Sequence, residues 1–240
     1  MYDRRTKKIS SQTPQKVRRG SGTTRALSLG LCIVGAALLG NGEAPTAATK
    51  LVDAVQRRYE AVQDIAAKFE QEAVVASIGK TERSSGSVTI KRPGRMRWEY
   101  RSPEERIIAL DGDTIRMYLP EDQQLQVASL DAGVFPPTAL GFLLGEGKLD
   151  QSFEAKELEA NGRSELGLRL EPRTDQSFDY LEIWVSPEEH QLRESVVVDL
   201  FGNRTSVRFS EMAENQGVED AAFKVDVPAG TDVIDLREAN

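Results

Sequence analysis

From Ile65 onward the chain alternates apolar and polar residues with a period of two, the spacing of a strand that buries one face. Ile65, Ala67, Phe69 and Gln71 fall on one side, with Lys68, Glu70 and Glu72 on the other. The alternation returns over Gly86–Lys91, Arg95–Arg101, Arg106–Leu110, Thr114–Leu119 and Gln123–Ala128. It resumes over Phe153–Ala160, Gly167–Glu171, Tyr180–Ser186, Leu192–Asp199 and Thr205–Met212. Turn residues separate these runs: Ile78-Gly79-Lys80, Asp111-Gly112-Asp113, Asn161-Gly162, Pro187 and Phe201-Gly202-Asn203. Two segments depart from the pattern. Lys50–Val62 carries Leu51, Val52, Val55, Tyr59 and Val62 at spacings of three and four, which predicts a helix with one apolar stripe. Thr138–Leu144, between Phe135-Pro136-Pro137 and Gly145, predicts a short helical piece. About ten short strands without long intervening helices predict a mainly β, α+β fold: one large curved antiparallel sheet.

Such a sheet has one apolar face to cover. Parity places Val88, Ile90, Met96, Trp98, Tyr100, Ile115, Met117, Leu168, Leu170, Leu181, Ile183, Val185, Val196, Val198, Val207 and Phe209 on it. A curved sheet either fills this face with its own side chains or leaves a hollow for an apolar ligand. Met96 and Met117, as adaptable lining residues, favour the hollow. Arg92 shares the parity of Val88 and Ile90, so a guanidinium stands at the end of an apolar face, where its charge requires acceptors. Leu140, Phe142, Leu143 and Leu144 crowd the short glycine-flanked helix, which suits a movable lid and equally a plug.

The first 48 residues read as a leader: a basic stretch (Arg4, Arg5, Lys7, Lys8, Lys16, Arg18, Arg19, Arg25), an apolar run over Ala26–Leu39, then small residues ending in Thr46, Ala47, Ala48. The run is about 14 residues, shorter than the roughly 20 of a membrane-spanning helix, so cleavage after Ala48 is expected, with a retained anchor as the alternative. The general secretory route fits better than a twin-arginine route, because Gly20-Ser21-Gly22 follows the Arg18-Arg19 pair poorly. Cys32 follows Leu31, too large for a lipoprotein processing site, and leaves with the leader. Residues 49–240 then form a single domain without cysteine, which excludes disulfides and thiol chemistry. Removal of the leader takes the net charge from −7 to −13. So acidic a domain lacks the basic footprint for nucleic acid or an anionic membrane surface.

Signs of catalysis are thin. The single histidine, His190, sits in the predicted turn Ser186-Pro-Glu-Glu-His190, and no nucleophile elbow, phosphate loop or zinc spacing is present. Glu104-Glu105 and Glu188-Glu189 are neighbouring acids on turns, where paired acid-base geometry is not expected. The reading is therefore of a binding protein rather than an enzyme.

The run from Gly86 to Tyr100 (Gly-Ser-Val-Thr-Ile-Lys-Arg-Pro-Gly-Arg-Met-Arg-Trp-Glu-Tyr), Ser102-Pro-Glu-Glu, and Ala109-Leu-Asp-Gly-Asp-Thr-Ile-Arg-Met-Tyr together resemble the periplasmic outer-membrane lipoprotein carriers, the LolA family. The opening helix, Phe69-Glu-Gln and the closing run from Ala222 to Ile234 extend the likeness over residues 49–240. The resemblance implies an unclosed barrel with short helices as a lid over a hydrophobic cavity. It implies acylated lipoproteins as cargo, an inner-membrane ABC transporter as donor, an outer-membrane acceptor lipoprotein as receiver, and a soluble periplasmic monomer without cofactor or metal. Arg92 takes the position of the family arginine that latches the empty lid through backbone carbonyls. The expected lining is Val88, Ile90, Met96, Trp98, Tyr100, Ile115, Met117, Leu140, Phe142, Leu143, Ile183 and Val198, with Met96 standing where the family often has Phe. A lipid-sensing or glycolipid-carrying periplasmic protein of the same fold is the alternative.

Overall fold

Ala47–Ala61 form helix α1, because Leu51, Val52, Val55 and Tyr59 recur on one face and are all buried. The helix starts three residues before the predicted Lys50, since the Thr46 side chain accepts the Thr49 N–H at 3.2 Å and caps the first turn. The expected cleavage point after Ala48 therefore falls inside the first turn. Near the other end of α1 the Tyr59 hydroxyl accepts the Leu192 N–H at 2.8 Å, and burial pushes its pKa up to about 12. The computed structural model describes residues 46–130, 147–174 and 178–237, which lie within one unit beginning at Ala44. Residues 1–45 of the leader and the predicted lid lie outside the described residues. No described helix is long and apolar enough to cross a membrane.

The strands are β1 (Asp64–Val75), β2 (Lys80–Lys91), β3 (Arg95–Ser102), β4 (Arg106–Asp111), β5 (Thr114–Leu119), β6 (Gln124–Ser129), β7 (Phe153–Leu158), β8 (Leu166–Pro172), β9 (Phe178–Val185), β10 (Leu192–Asp199), β11 (Arg204–Glu214) and β12 (Asp232–Asp235). They form one sheet in the order β12-β6-β5-β4-β3-β2-β1-β11-β10-β9-β8-β7, with β12 and β7 as its two edges. The sheet is unclosed, as expected. Within β1–β6 and within β7–β11 chain neighbours pair antiparallel, and β1 joins the two halves by pairing with β2 and β11. A short helix, α2 (Leu149–Ser152), leads into β7.

β12 departs from the all-antiparallel expectation, running parallel to β6. A parallel neighbour needs a crossover, and the chain after β11 provides one across the face opposite α1. Asp64 is buried and fixes its start: its carboxylate accepts N–H groups of Gln216 at 2.7 Å and Gly217 at 3.0 Å. Farther on, the Lys91 ammonium donates to the Val218 carbonyl at 2.7 Å, and Arg97 donates to the Lys224 carbonyl at 2.6 Å. Val225 and Val227 then cover Tyr118, Leu125 and Val127.

On the concave side, the apolar stripe of α1 packs with Leu149, Phe69, Val88, Ile90, Met96, Trp98, Leu168, Leu181 and Ile183 into the main core. The helix occupies only part of a twelve-stranded face. The wall that continues over β2 to β5 supplies the candidate site.

Candidate functional site

Cross-strand register builds this wall row by row. Ile90, Met96, Leu110 and Ile115 stand opposite one another across β2, β3, β4 and β5, and Val88, Trp98, Ile108 and Met117 form the next row. Gly86, Tyr100 and Arg106 form the third. Aromatic rings dominate its centre. Phe69 meets Trp98 edge-on with ring centres 4.6 Å apart and Tyr100 at 5.0 Å, while Trp98 and Tyr100 stack at 6.2 Å. Phe209 approaches Trp98 at 6.4 Å. Such pairs add to burial when rings lie edge-on or offset.

Gly86 allows this arrangement. It pairs with Phe69 on one side and Tyr100 on the other, so the two rings meet across a position with no side chain. A Cβ there would lie 1.9 Å from the Glu99 carbonyl oxygen.

Two polar groups edge the wall. Trp98 is buried, and its indole N–H has no hydrogen-bond acceptor among the described residues. Arg106 lays its guanidinium 4.0 Å above the Tyr100 ring. Burial raises the Tyr100 hydroxyl pKa, and the charge of Arg106 works against that rise. Beside them a cleft of about 360 Å³ opens between Gln71, Ala73, Lys80, Glu82, Tyr100 and Arg106, giving the aromatic wall a polar mouth.

Arg92 follows the last residue of β2. Its backbone N–H donates to the Gln63 carbonyl at 2.8 Å, and its side chain is half-buried. Burial draws its pKa below the usual guanidinium value, opposed by the Glu60 carboxylate of α1. The neighbouring Lys91 turns the other way, bound to Val218 and Asp220 on the crossover. Adjacent cations thus serve opposite faces, as the alternation predicts.

Of the expected lining, Val88, Ile90, Met96, Trp98, Tyr100, Ile115, Met117 and Ile183 share the concave face. Met117 alone among them is half-buried. Leu140, Phe142 and Leu143 lie outside the described residues. Val198 is a correction. It faces Tyr180 and Arg204 on the opposite side of the sheet, with Val196, whereas Ser195 and Val197 share the side of Ile183 and Leu181. Three successive valines give no alternation, and a register shift between Leu192 and Glu194 resets parity along β10. The outer side there is still dry, because Arg163 covers Trp184 at 4.3 Å and Arg169 covers Tyr180 at 3.5 Å.

Phe69 and Arg106 were not among the expected site residues. Both could be found by extending parity: Phe69 through Ile65 and Ala67, Arg106 through Ile108 and Leu110. The candidate acid pairs do not assemble a site. Glu104, Glu105, Glu188 and Glu189 are exposed, and His190 lies in the β9–β10 turn with its N–H on the Ser186 carbonyl at 2.9 Å.

The model of the outer membrane lipoprotein carrier protein LolA matches residues 60–226, which include Arg92 and the entire aromatic wall. The chain belongs to the LolA family. An outer-membrane lipoprotein carrier protein of Pseudomonas putida is 31% identical over 184 residues, covering 76% of this chain and 87% of that protein. One from Azotobacter vinelandii is 32% identical over 173 residues, covering 72% and 82%. Among solved structures, a conserved protein from Thermus thermophilus shares the fold with a TM-score of 0.51 at 14% identity, covering 79% of this chain and 99% of that one. For this LolA-family chain, the matched span thus coincides with the part of the sheet that carries the apolar face.

Proposed function

We propose that this protein carries acylated lipoproteins, sheltering their fatty chains against the concave face. The observation that carries this reading is the continuous apolar wall of Ile90, Met96, Leu110, Ile115, Trp98 and Phe69 in a chain of the LolA family. Acyl chains need contact area rather than directed bonds, and rows of aliphatic and aromatic side chains offer it without polar competition. The Trp98 N–H, without an acceptor among the described residues, suits an ester or amide carbonyl at the head of an acyl chain.

A carrier has to release as well as bind. Each buried methylene is worth roughly 0.8 kcal/mol, so several fatty chains fully engulfed would not leave on a useful timescale. Partial burial lowers that hold. In this reading Arg92 supplies the rest: its guanidinium latches the empty lid, and closing the latch offsets part of the acyl binding energy when cargo departs. Val88, Tyr100, Met117 and Ile183 extend the wall, and Leu140, Phe142 and Leu143 complete it from the lid. The leader over residues 1–48 directs the domain to the periplasm, where an inner-membrane ABC transporter loads it and an outer-membrane acceptor lipoprotein unloads it. The domain works as a monomer, and no catalytic step is required.

The test is capture of one lipoprotein in two forms. The purified protein should retain the acylated form through gel filtration and let its unacylated counterpart pass. Equal retention of both forms would show that the fatty chains are not what is recognised.

A further inference from the structure

Two hairpin tips stand side by side at one end of the sheet. The β1–β2 turn carries Ile78, and the β10–β11 turn carries Leu200 and Phe201. Among the described residues these are the three most exposed large apolar side chains, at 71%, 65% and 86% exposure. Single apolar residues on a surface are ordinary, but three gathered at one apex are not.

Both turns are closed by hydrogen bonds. The Asp199 carboxylate accepts N–H groups of Phe201 at 2.8 Å and Asn203 at 2.9 Å, together with the Asn203 side-chain amide at 2.8 Å. The Gly202 N–H bonds the Asp199 carbonyl at 3.0 Å. In the other turn the N–H groups of Ile78 and Gly79 both bond the Val75 carbonyl. The Asn203 side-chain oxygen then accepts the Ala76 N–H at 3.0 Å, tying one tip to the other. Nearby charges are paired, Lys80 with Glu82 at 2.7 Å and Arg204 with Glu182 at 3.5 Å.

We propose that this paired tip is a membrane-contact prong, with Ile78, Leu200 and Phe201 entering the boundary between lipid headgroups and acyl chains. A bilayer demands that backbone polar groups be satisfied internally, and six N–H groups of the two turns already are. The prong is a pair of hairpin tips with their backbone hydrogen-bonded internally and to each other, so it suits a fluid interface better than a fitted pocket. A domain charge of −13 provides no attraction to anionic lipid. Contact therefore rests on apolar insertion and is brief. Lys80 pairs with Val75 at the base of the prong and also lines the cleft beside Tyr100. On the carrier reading, on which this link rests, the mouth of the wall is thereby presented to the bilayer at hand-over.

Flotation with phosphatidylcholine vesicles, and separately with vesicles of phosphatidylethanolamine and phosphatidylglycerol, tests the prong. The purified protein should float with both, without weakening as salt rises. L200S/F201S should partition at least tenfold more weakly, equivalent to about 1.4 kcal/mol, with an unchanged melting curve, while Val233→Ser at a distant exposed position should float like wild type. Phe201→Trp should gain a blue-shifted emission component on vesicles. Absence of flotation by the wild type, equal flotation by L200S/F201S, or binding lost with salt would each overturn the proposal. The same variant should still capture acylated lipoprotein. Capture failing in wild type while flotation persists counts against the carrier reading and leaves the prong standing.

Discussion

Adding one methyl group at position 86 is expected to break the sheet where the aromatic rings meet. In Gly86→Ala the new Cβ would fall 1.9 Å from the Glu99 carbonyl oxygen and 3.0 Å from the Tyr100 Cα. Both are backbone atoms of β3, so no side-chain rotation relieves the overlap, and β2 and β3 must part. The same methyl group would intrude between Phe69 and Tyr100, whose rings meet at 5.0 Å across this position. We expect a loss of roughly 3 kcal/mol or more, the range of severe overpacking, read as a lowered denaturation midpoint in urea. Gly79→Ala is the control. Gly79 has φ +64° and open space around it, so only the backbone strain of about 1 kcal/mol should appear. A Gly86→Ala variant as stable as the wild type would show that the wall does not depend on the close approach of β2 and β3.

The second large effect is kinetic. Arg92→Leu removes a half-buried cation and its bonding capacity while enlarging the apolar surface beside α1. Loading should persist, since the wall itself is untouched. Transfer to an acceptor should slow at least tenfold, about 1.4 kcal/mol, which a single charge-assisted hydrogen bond can supply. The measurement is release of bound acylated lipoprotein over time in the presence of acceptor membranes. Release at the wild-type rate would show that Arg92 does not drive unloading.

Much of the architecture is legible in the sequence because period-two alternation survives wherever one face is buried and the other wet. Arg95–Arg101 is the clearest case: Met96, Trp98 and Tyr100 all face the core. The pattern fails where both faces have similar chemistry. Lys80–Ser85 is polar throughout, so the first half of β2 carries no signal, although it pairs with β1 from Lys80 onward. Val196, Val197 and Val198 are apolar throughout, and Ser195 takes an inward place, so parity put Val198 on the wrong side. β12 has no local mark, because its parallel register with β6 is set by the crossover that Asp64, Lys91 and Arg97 hold in place.

The candidate site divides in the same manner. Its apolar rows follow from strand pairing and could be read residue by residue. The meeting of Phe69 with Trp98 and Tyr100 could not, since it depends on β1 and β3 flanking a residue without a side chain. The role of Arg92 is likewise invisible to periodicity, which marks a misplaced charge but not what it does. The latch proposed for Arg92 rests on the Lys-Arg-Pro resemblance, whereas its half-buried position beside α1 is structural.

Native mass spectrometry of the protein isolated from a periplasmic extract, followed by analysis of the ligand set free on unfolding, tests the central claim most directly. The account predicts a fraction of the protein carrying additional mass that resolves into triacylated lipoproteins. A free glycolipid as the bound species, or a protein that is always empty even when lipoprotein release from the inner membrane is driven, would contradict it.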